Sequence, residues 1–106
     1  MSVPRLSNLQ FLVLGALRAG PLTGGALRDQ LREFGVRRSG PGFYQMMSRL
    51  EQAELVKGWY TQEIVEGQII RQRHYELLPS GASAWRRQRD FQMSIIDRFD
   101  DVGQPA

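Results

Sequence analysis

The hydrophobic period of this chain changes twice, and that constrains its fold more than any other feature. Up to about residue 53 the apolar side chains recur at helical intervals. From 55 to 77 the residues are strand formers with period-two patterning, and from 79 to 99 the helical interval returns. A chain of 106 residues accommodates one domain. The expected class is therefore mainly α with a small β-hairpin (α+β). Gly and Pro mark the joints, at Gly20-Pro21, Gly35, Gly40-Pro41-Gly42, Gly67 and Pro79-Ser80-Gly81.

The joints divide the chain into five segments. Residues 7–19 read as a helix, with Ser7 and Gln10 spaced as a capping box and Leu9, Leu12, Val13, Ala16 and Leu17 as its apolar positions. Residues 23–34 read as a second helix, with Thr23 as N-cap, Leu27, Leu31 and Phe34 in one stripe, and Gly35 at the C-cap. Residues 39–53 form a third. Ser39 caps it, and Pro41 sits in the first turn, where its missing N–H costs little. At about 100° per residue, Phe43, Met46, Met47 and Leu50 share one face, and Pro41, Gln45, Ser48 and Gln52 the opposite one. Residues 55–62 and 70–77 then read as two strands, with 63–67 as the turn and Arg71, Arg73, Tyr75 and Leu77 on one face. The last helix runs over 79–99, and residues 100–106 read as a disordered tail.

Composition excludes several function classes. With 42% hydrophobic and 24% charged residues the chain has the material for a core. It has no cysteine, so it offers no disulfide, thiol nucleophile or thiolate zinc site. His74 is the single histidine, which argues against a metal centre, and a solvent-facing strand position is expected for it. No nucleophile, base and orienting group can be assembled, so no enzyme and no cofactor are expected. The apolar run over 11–17 is far short of the ~20 residues that span a bilayer. The N-terminal sequence has no signal-peptide pattern, so the expectation is a cytoplasmic protein without a membrane partner.

Charge points weakly to a polyanion. The net charge is +3, and Lys57 is the single lysine among fourteen cationic residues. Residues 1–60 hold eight basic and four acidic side chains, whereas 61–106 hold six and seven. An excess of arginine in one half suits nucleic acid, although ordinary scatter would also produce it. Helices two and three, joined by a short connection, are spaced as a helix-turn-helix, and the hairpin that follows makes it winged. The expected layout is a winged-helix domain over 1–78, with a recognition helix at 39–53 able to enter a major groove and a wing at 56–77.

Residues 79–99 are then surplus to that domain. At 1.5 Å per residue they make a rod of about 30 Å, too long for so small a core to cover. Its second half nevertheless carries Phe91, Ile95, Ile96 and Phe99. A second copy of the chain would bury them, with Leu9 and Trp85 joining the interface. The alternative is a helix folded back on the first helix of its own chain.

The stretch Ser39-Gly40-Pro41-Gly42-Phe43-Tyr44-Gln45-Met46-Met47-Ser48-Arg49-Leu50-Glu51 resembles the recognition-helix signature of the PadR family of bacterial transcriptional regulators. Three further stretches resemble that family in the same order. They are residues 9–20 followed by Pro21-Leu22-Thr23-Gly24, then Leu55-Val56 with Trp59, and finally Arg73-His74-Tyr75-Glu76-Leu77-Leu78-Pro79-Ser80-Gly81. The resemblance covers roughly residues 7–90. It implies a homodimeric regulator of the family's smaller branch, with a repressor as the expected sense and a pseudo-palindromic duplex DNA site as partner. This chain departs from the pattern in having Ala26 where a Tyr is common, Ala53-Glu54-Leu55 in place of Glu-Gly-Leu, and Leu78 in place of a Thr.

Candidate site residues follow from the two readings together. The resemblance assigns Tyr44 to DNA, the alternative being a half-buried core tyrosine. Gln45 and Ser48 point outward, where Gln can pair with adenine and Ser with a base or phosphate. Ser39 and Pro41 begin the same helix. Arg37, Arg38 and Arg49 bracket it and suit phosphate. Arg71 and Arg73 lie along the wing, with Arg73 placed also to pair with an acidic neighbour. Some smaller-branch members bind flat aromatic molecules between tryptophans at the dimer interface. That makes a small hydrophobic effector a further candidate partner, entering between the first and last helices. Core packing is the plainer role for Trp59 and Trp85. A winged helix also serves as a protein-interaction module, and the small net charge fits that rival.

Overall fold

The computed structural model describes residues 6–102. Helix α1 (Asn8–Ala16) starts on Ser7, whose Oγ accepts the Gln10 amide at 3.1 Å while Gln10 Oε1 accepts the Ser7 amide at 3.0 Å. This is the capping box read from the sequence. The last turn tightens into a 3-10 segment, Leu17–Ala19. Strand β1 (Leu22–Thr23) follows, and Thr23 doubles as N-cap of α2 (Gly24–Glu33) by accepting the Ala26 amide at 3.1 Å. At the far end of α2, Gly35 adopts a φ of 80°, and the amides of Gly35 and Val36 return to the Arg32 and Leu31 carbonyls at 2.9 Å. Helix α3 (Gly40–Gln52) begins on Ser39, which accepts the Gly42 amide at 3.1 Å.

Strands β2 (Val56–Val65) and β3 (Gln68–Leu77) pair along their full length, with Val56 opposite Leu77 and Val65 opposite Gln68. The hairpin is longer than the sequence suggests. Residues 63–65 belong to β2, and the turn shrinks to Glu66-Gly67, with φ of 52° and 79°. Two successive positive φ values match the tight hairpin turn whose twist suits the flanking strands, and glycine adopts such a φ without steric cost. Strand β1 adds to the outer edge of β3, with Leu22 opposite Tyr75, and gives the sheet order β1-β3-β2. Two residues are too few to show a period, which is why this strand is invisible to sequence reading.

Helix α4 (Pro79–Val102) runs three residues past the expected end, so residues 100–102 are helical rather than tail. The stripe of Phe99 and Val102 continues at helical spacing, and the first helix breaker in the sequence is Gly103. Residues 103–106 of the expected tail lie outside the described residues.

The core lies where α1, α2 and α3 meet the base of the sheet. Val13, Leu14, Leu17, Leu27, Leu31, Phe43, Met46, Met47, Leu50, Val56 and Tyr75 are its buried side chains. The first half of α4 packs on α1, where Trp85 stacks on Phe11 with centroids 5.3 Å apart and the rings nearly parallel. Gln88 Nε2 reaches toward the Leu6 carbonyl at 3.5 Å. The described chain is elongated, 68 × 28 × 23 Å, because the outer hairpin and the second half of α4 extend beyond this core.

Candidate nucleic-acid interface

Helix α3 buries Phe43, Met46, Met47 and Leu50, and this leaves Pro41, Gln45, Ser48 and Gln52 exposed on the opposite face. The amphipathic pattern alone produces this result, since a helix with one apolar stripe must turn the other outward. Ser39, Arg37 and Arg38 are exposed before the helix, and Arg49 is exposed on its flank. The connection that carries Arg37 and Arg38 is held by Arg28 of α2, whose Nη2 donates to the Arg38 carbonyl at 3.2 Å. Arg38, Gln45 and Arg49 line one concavity together with Ser7, Asn8 and Gln10 from the start of α1. These three residues carry no sequence signal for this face, because thirty or more positions separate them from α3.

Tyr44 fits both readings given for it. It is 42% exposed, and its ring meets Phe43 edge-on at 5.0 Å. Its phenol sits against Gly24 of α2, where a β-carbon would come within 2.8 Å of Tyr44 Oη. Gly24 therefore supplies the notch that seats the ring, a close approach that any side chain would obstruct.

A second concavity, of about 370 Å³, lies between α3 and the wing and is lined by Tyr44, Ser48, Glu51, Tyr60, Arg73 and Tyr75. Here the structure takes the alternative for Arg73. Its Nη2 contacts Glu51 Oε1 at 2.5 Å, and both side chains are about three-quarters covered. Burial pulls the guanidinium pKa down, but the Glu51 carboxylate and the Tyr75 phenol more than offset this and hold it above its ordinary value. Tyr75 is 1% exposed, and burial pushes its phenol up to about 12, against the opposing pull of Arg73. Arg71 remains exposed, and both wing arginines flank Tyr60, at 4.4 and 4.5 Å from its ring. Sequence reading passed over both Glu51 and Tyr60. Tyr60 comes opposite Arg73 only in the register that the two-residue turn sets.

His74 is not the solvent-facing residue expected. It is half-buried, its Nε2 lies 2.7 Å from Thr61 Oγ1, and its ring stacks on Trp59 at 5.6 Å. The register places it directly opposite Trp59, whose ring covers it. Among the described residues no cluster of three or more His, Asp or Glu could hold a metal. No described helix is long and apolar enough to cross a membrane.

The residues expected at a dimer interface divide into two groups. Leu9 and Trp85 pack against their own chain, with Trp85 between Phe11 and Gly15 and the Arg18 guanidinium 4.0 Å over its ring. Farther along α4, Phe91, Ile96, Phe99 and Val102 are 39%, 48%, 68% and 80% exposed, and Ile95 is half-buried beside them. Asn8 of α1 and Phe91, Gln92, Ile95, Ile96 and Phe99 of α4 border a shallow concavity of about 340 Å³.

Comparison with solved structures identifies the fold. A PadR family transcription regulator from Clostridium difficile superposes with a TM-score of 0.72 at 21% identity, over 88% of this chain and 98% of that one. A PadR family regulator from Eggerthella lenta gives 0.69 at 22% identity, over 92% and 83%. Bacillus subtilis PadR, in a complex with operator DNA, gives 0.64 at 22% identity over 76% of this chain, which spans 46% of that longer protein. No protein-family model matches the chain, and a search of curated proteins also finds no match. The fold is thus the winged helix of PadR-type structures, with a small three-stranded sheet and a long C-terminal helix.

Proposed function

We propose that this chain is a DNA-binding transcriptional regulator of the PadR type, and that it acts as a homodimer. One observation carries the reading. The polar face of α3 is exposed and is bordered by Arg37, Arg38, Arg49 and, on the wing, Arg71. An exposed polar helix face flanked by arginines suits a major groove, with base edges at its centre and phosphates at its margins. Gln45 and Ser48 read bases, Ser39, Pro41 and Tyr44 set the approach to the backbone, and the wing clamps the strand beside it. Arg73 holds the wing against α3 through Glu51 and does not spend its charge on phosphate.

The dimer follows from the apolar residues at 91–102. A solvent-exposed Phe, Ile, Phe and Val along one helix favours pairing with an identical face, and a two-fold axis there presents two α3 helices to a two-fold DNA site. Repression follows if that site overlaps a promoter. The concavity beside Asn8 and Phe91 would be closed by the second copy, which makes it the place for a small hydrophobic effector.

Fluorescence anisotropy of the full chain on random-sequence duplex, from about 50 to 200 mM salt, tests the DNA reading. Four free arginines per chain, engaged twice in a dimer, predict a log–log slope of roughly −7 and a loss of about 10³–10⁵ in affinity over that range. Replacing Gln45 changes which sequence is preferred, whereas replacing Arg38 or Arg49 weakens all sequences alike. Sedimentation of the parent and of Ile95→Glu tests the dimer, which the buried charge abolishes. The Arg73–Glu51 pair lowers the number of free cations and so favours the rival reading, a protein-interaction module. Binding that is absent, or flat with salt, would overturn the DNA assignment and favour that rival.

A further inference from the structure

We propose that the tip of the wing is an apolar wedge for the DNA minor groove, with Ile64 and Ile69 as the inserting pair. The inference rests on the DNA-binding reading and specifies how the wing engages the duplex. Ile64 and Ile69 are 78% and 69% exposed, and they are direct cross-strand partners at the outer end of the hairpin. Two exposed β-branched side chains facing each other on a hairpin tip contribute nothing to the core of this domain.

The register shows which face they occupy. Along one side of the hairpin the pairs run Gly58–Tyr75, Tyr60–Arg73, Gln62–Arg71 and Ile64–Ile69. Tyr75 and Arg73 meet α3 through the concavity they share with Ser48 and Glu51, so this whole row lies on the side turned toward the recognition helix. The opposite side carries Lys57–Glu76, Trp59–His74, Thr61–Gln72 and Glu63–Ile70. Charge is therefore segregated. On the α3 side the hairpin holds Arg71 and Arg73 and no carboxylate of its own, with Arg73 facing Glu51 of α3, and the far side holds Glu63 and Glu76 against Lys57. That segregation favours a polyanion on the α3 side and disfavours it on the other.

Spacing completes the argument. Four residues separate Tyr60 from Ile64, which is about 13 Å along the strand at 3.3 Å per residue. With α3 in the major groove, Arg71 and Gln62 then lie over the intervening backbone and the isoleucine pair lies beyond it, over the adjoining minor groove. Apolar side chains placed there press between base steps and bend the duplex, and the guanine amino group on the groove floor obstructs them.

The test uses duplexes of about 30 bp in which every G·C pair is replaced by inosine·C. This removes the guanine amino group from the minor groove and leaves the major-groove pattern unchanged. The parent chain is expected to bind the inosine duplex several-fold more tightly. The doubly substituted Ile64→Ser/Ile69→Ser chain is expected to lose that preference and to bind both duplexes about tenfold more weakly. Ile64→Val/Ile69→Val is expected to keep most of the parent behaviour. Both positions are exposed, so the thermal melts of all three chains should coincide. If the parent binds DNA with the expected salt slope but does not distinguish the duplexes, the wedge is wrong and the DNA reading stands. The same holds if the serine variant retains the preference, and the tip is then free for a protein partner. If the parent binds neither duplex, both readings fall together.

Discussion

Glu51→Gln separates two roles that the wing arginines could play, because its effects on stability and on DNA binding have opposite signs. The substitution keeps the volume and a hydrogen-bond acceptor but removes the charge that faces Arg73 at 2.5 Å. An exposed ion pair is worth about 0–1 kcal/mol, and breaking a fully buried one costs roughly 3–5 kcal/mol. With about three-quarters of each side chain covered and an acceptor retained, the expected cost is about 1–2 kcal/mol. For a domain of this size that lowers Tm by roughly 5–15 °C at fixed protein concentration. DNA binding should move the other way. A guanidinium released from its carboxylate can meet a phosphate, so the salt dependence steepens by about 0.9 per chain and affinity at low salt rises. The double variant Glu51→Gln/Arg73→Gln removes both charges and should keep the parent's salt slope. Calorimetry and salt-series anisotropy on the three chains read both quantities. An unchanged Tm together with an unchanged slope for Glu51→Gln would refute the pin and return Arg73 to the phosphate contacts.

Further outcomes follow from neighbouring features. The Tyr75 phenol is raised from 10 to about 12 in the folded chain, so above pH 10 the unfolded state loses its proton first. Stability from this group is complete below pH 10 and declines by roughly 2–3 kcal/mol through pH 12, and Tyr75→Phe should flatten that slope in alkaline melts. Gly24→Ala should cost less than about 1 kcal/mol, since Tyr44 can swing outward, but it should alter DNA affinity more than stability if Tyr44 contacts the backbone. Glu54 holds a φ of 59° where the PadR pattern has glycine, so Glu54→Gly should raise the unfolding free energy by about 0.5–1 kcal/mol, seen as a higher urea midpoint at an unchanged m-value. A lower midpoint would show that the left-handed residue is not strained.

What the sequence determines by itself is local. Ser7, Thr23 and Ser39 all cap the helices they were expected to cap, because a cap and its partner amide lie three residues apart. The buried face of α3 is legible for the same reason, since Phe43, Met46, Met47 and Leu50 repeat within one helix. The order of the four helices and the two hairpin strands, and with it the winged-helix class, follows from period and from the turn residues between segments.

Tertiary structure decided whatever depends on residues distant in sequence. Glu51 reaches Arg73 across twenty-two positions, and no spacing rule ties a helix carboxylate to one particular strand arginine. Strand β1 exists only because the edge of β3 offers Leu22 and Thr23 partners, and His74 is covered only because the register sets Trp59 opposite it. The same register collects Arg71, Gln62, Ile64 and Ile69 on one side of the wing, once a two-residue turn rather than a five-residue one sets the pairing. A strand's alternation shows which residues share a face, but only packing against α3 determines which face meets the ligand.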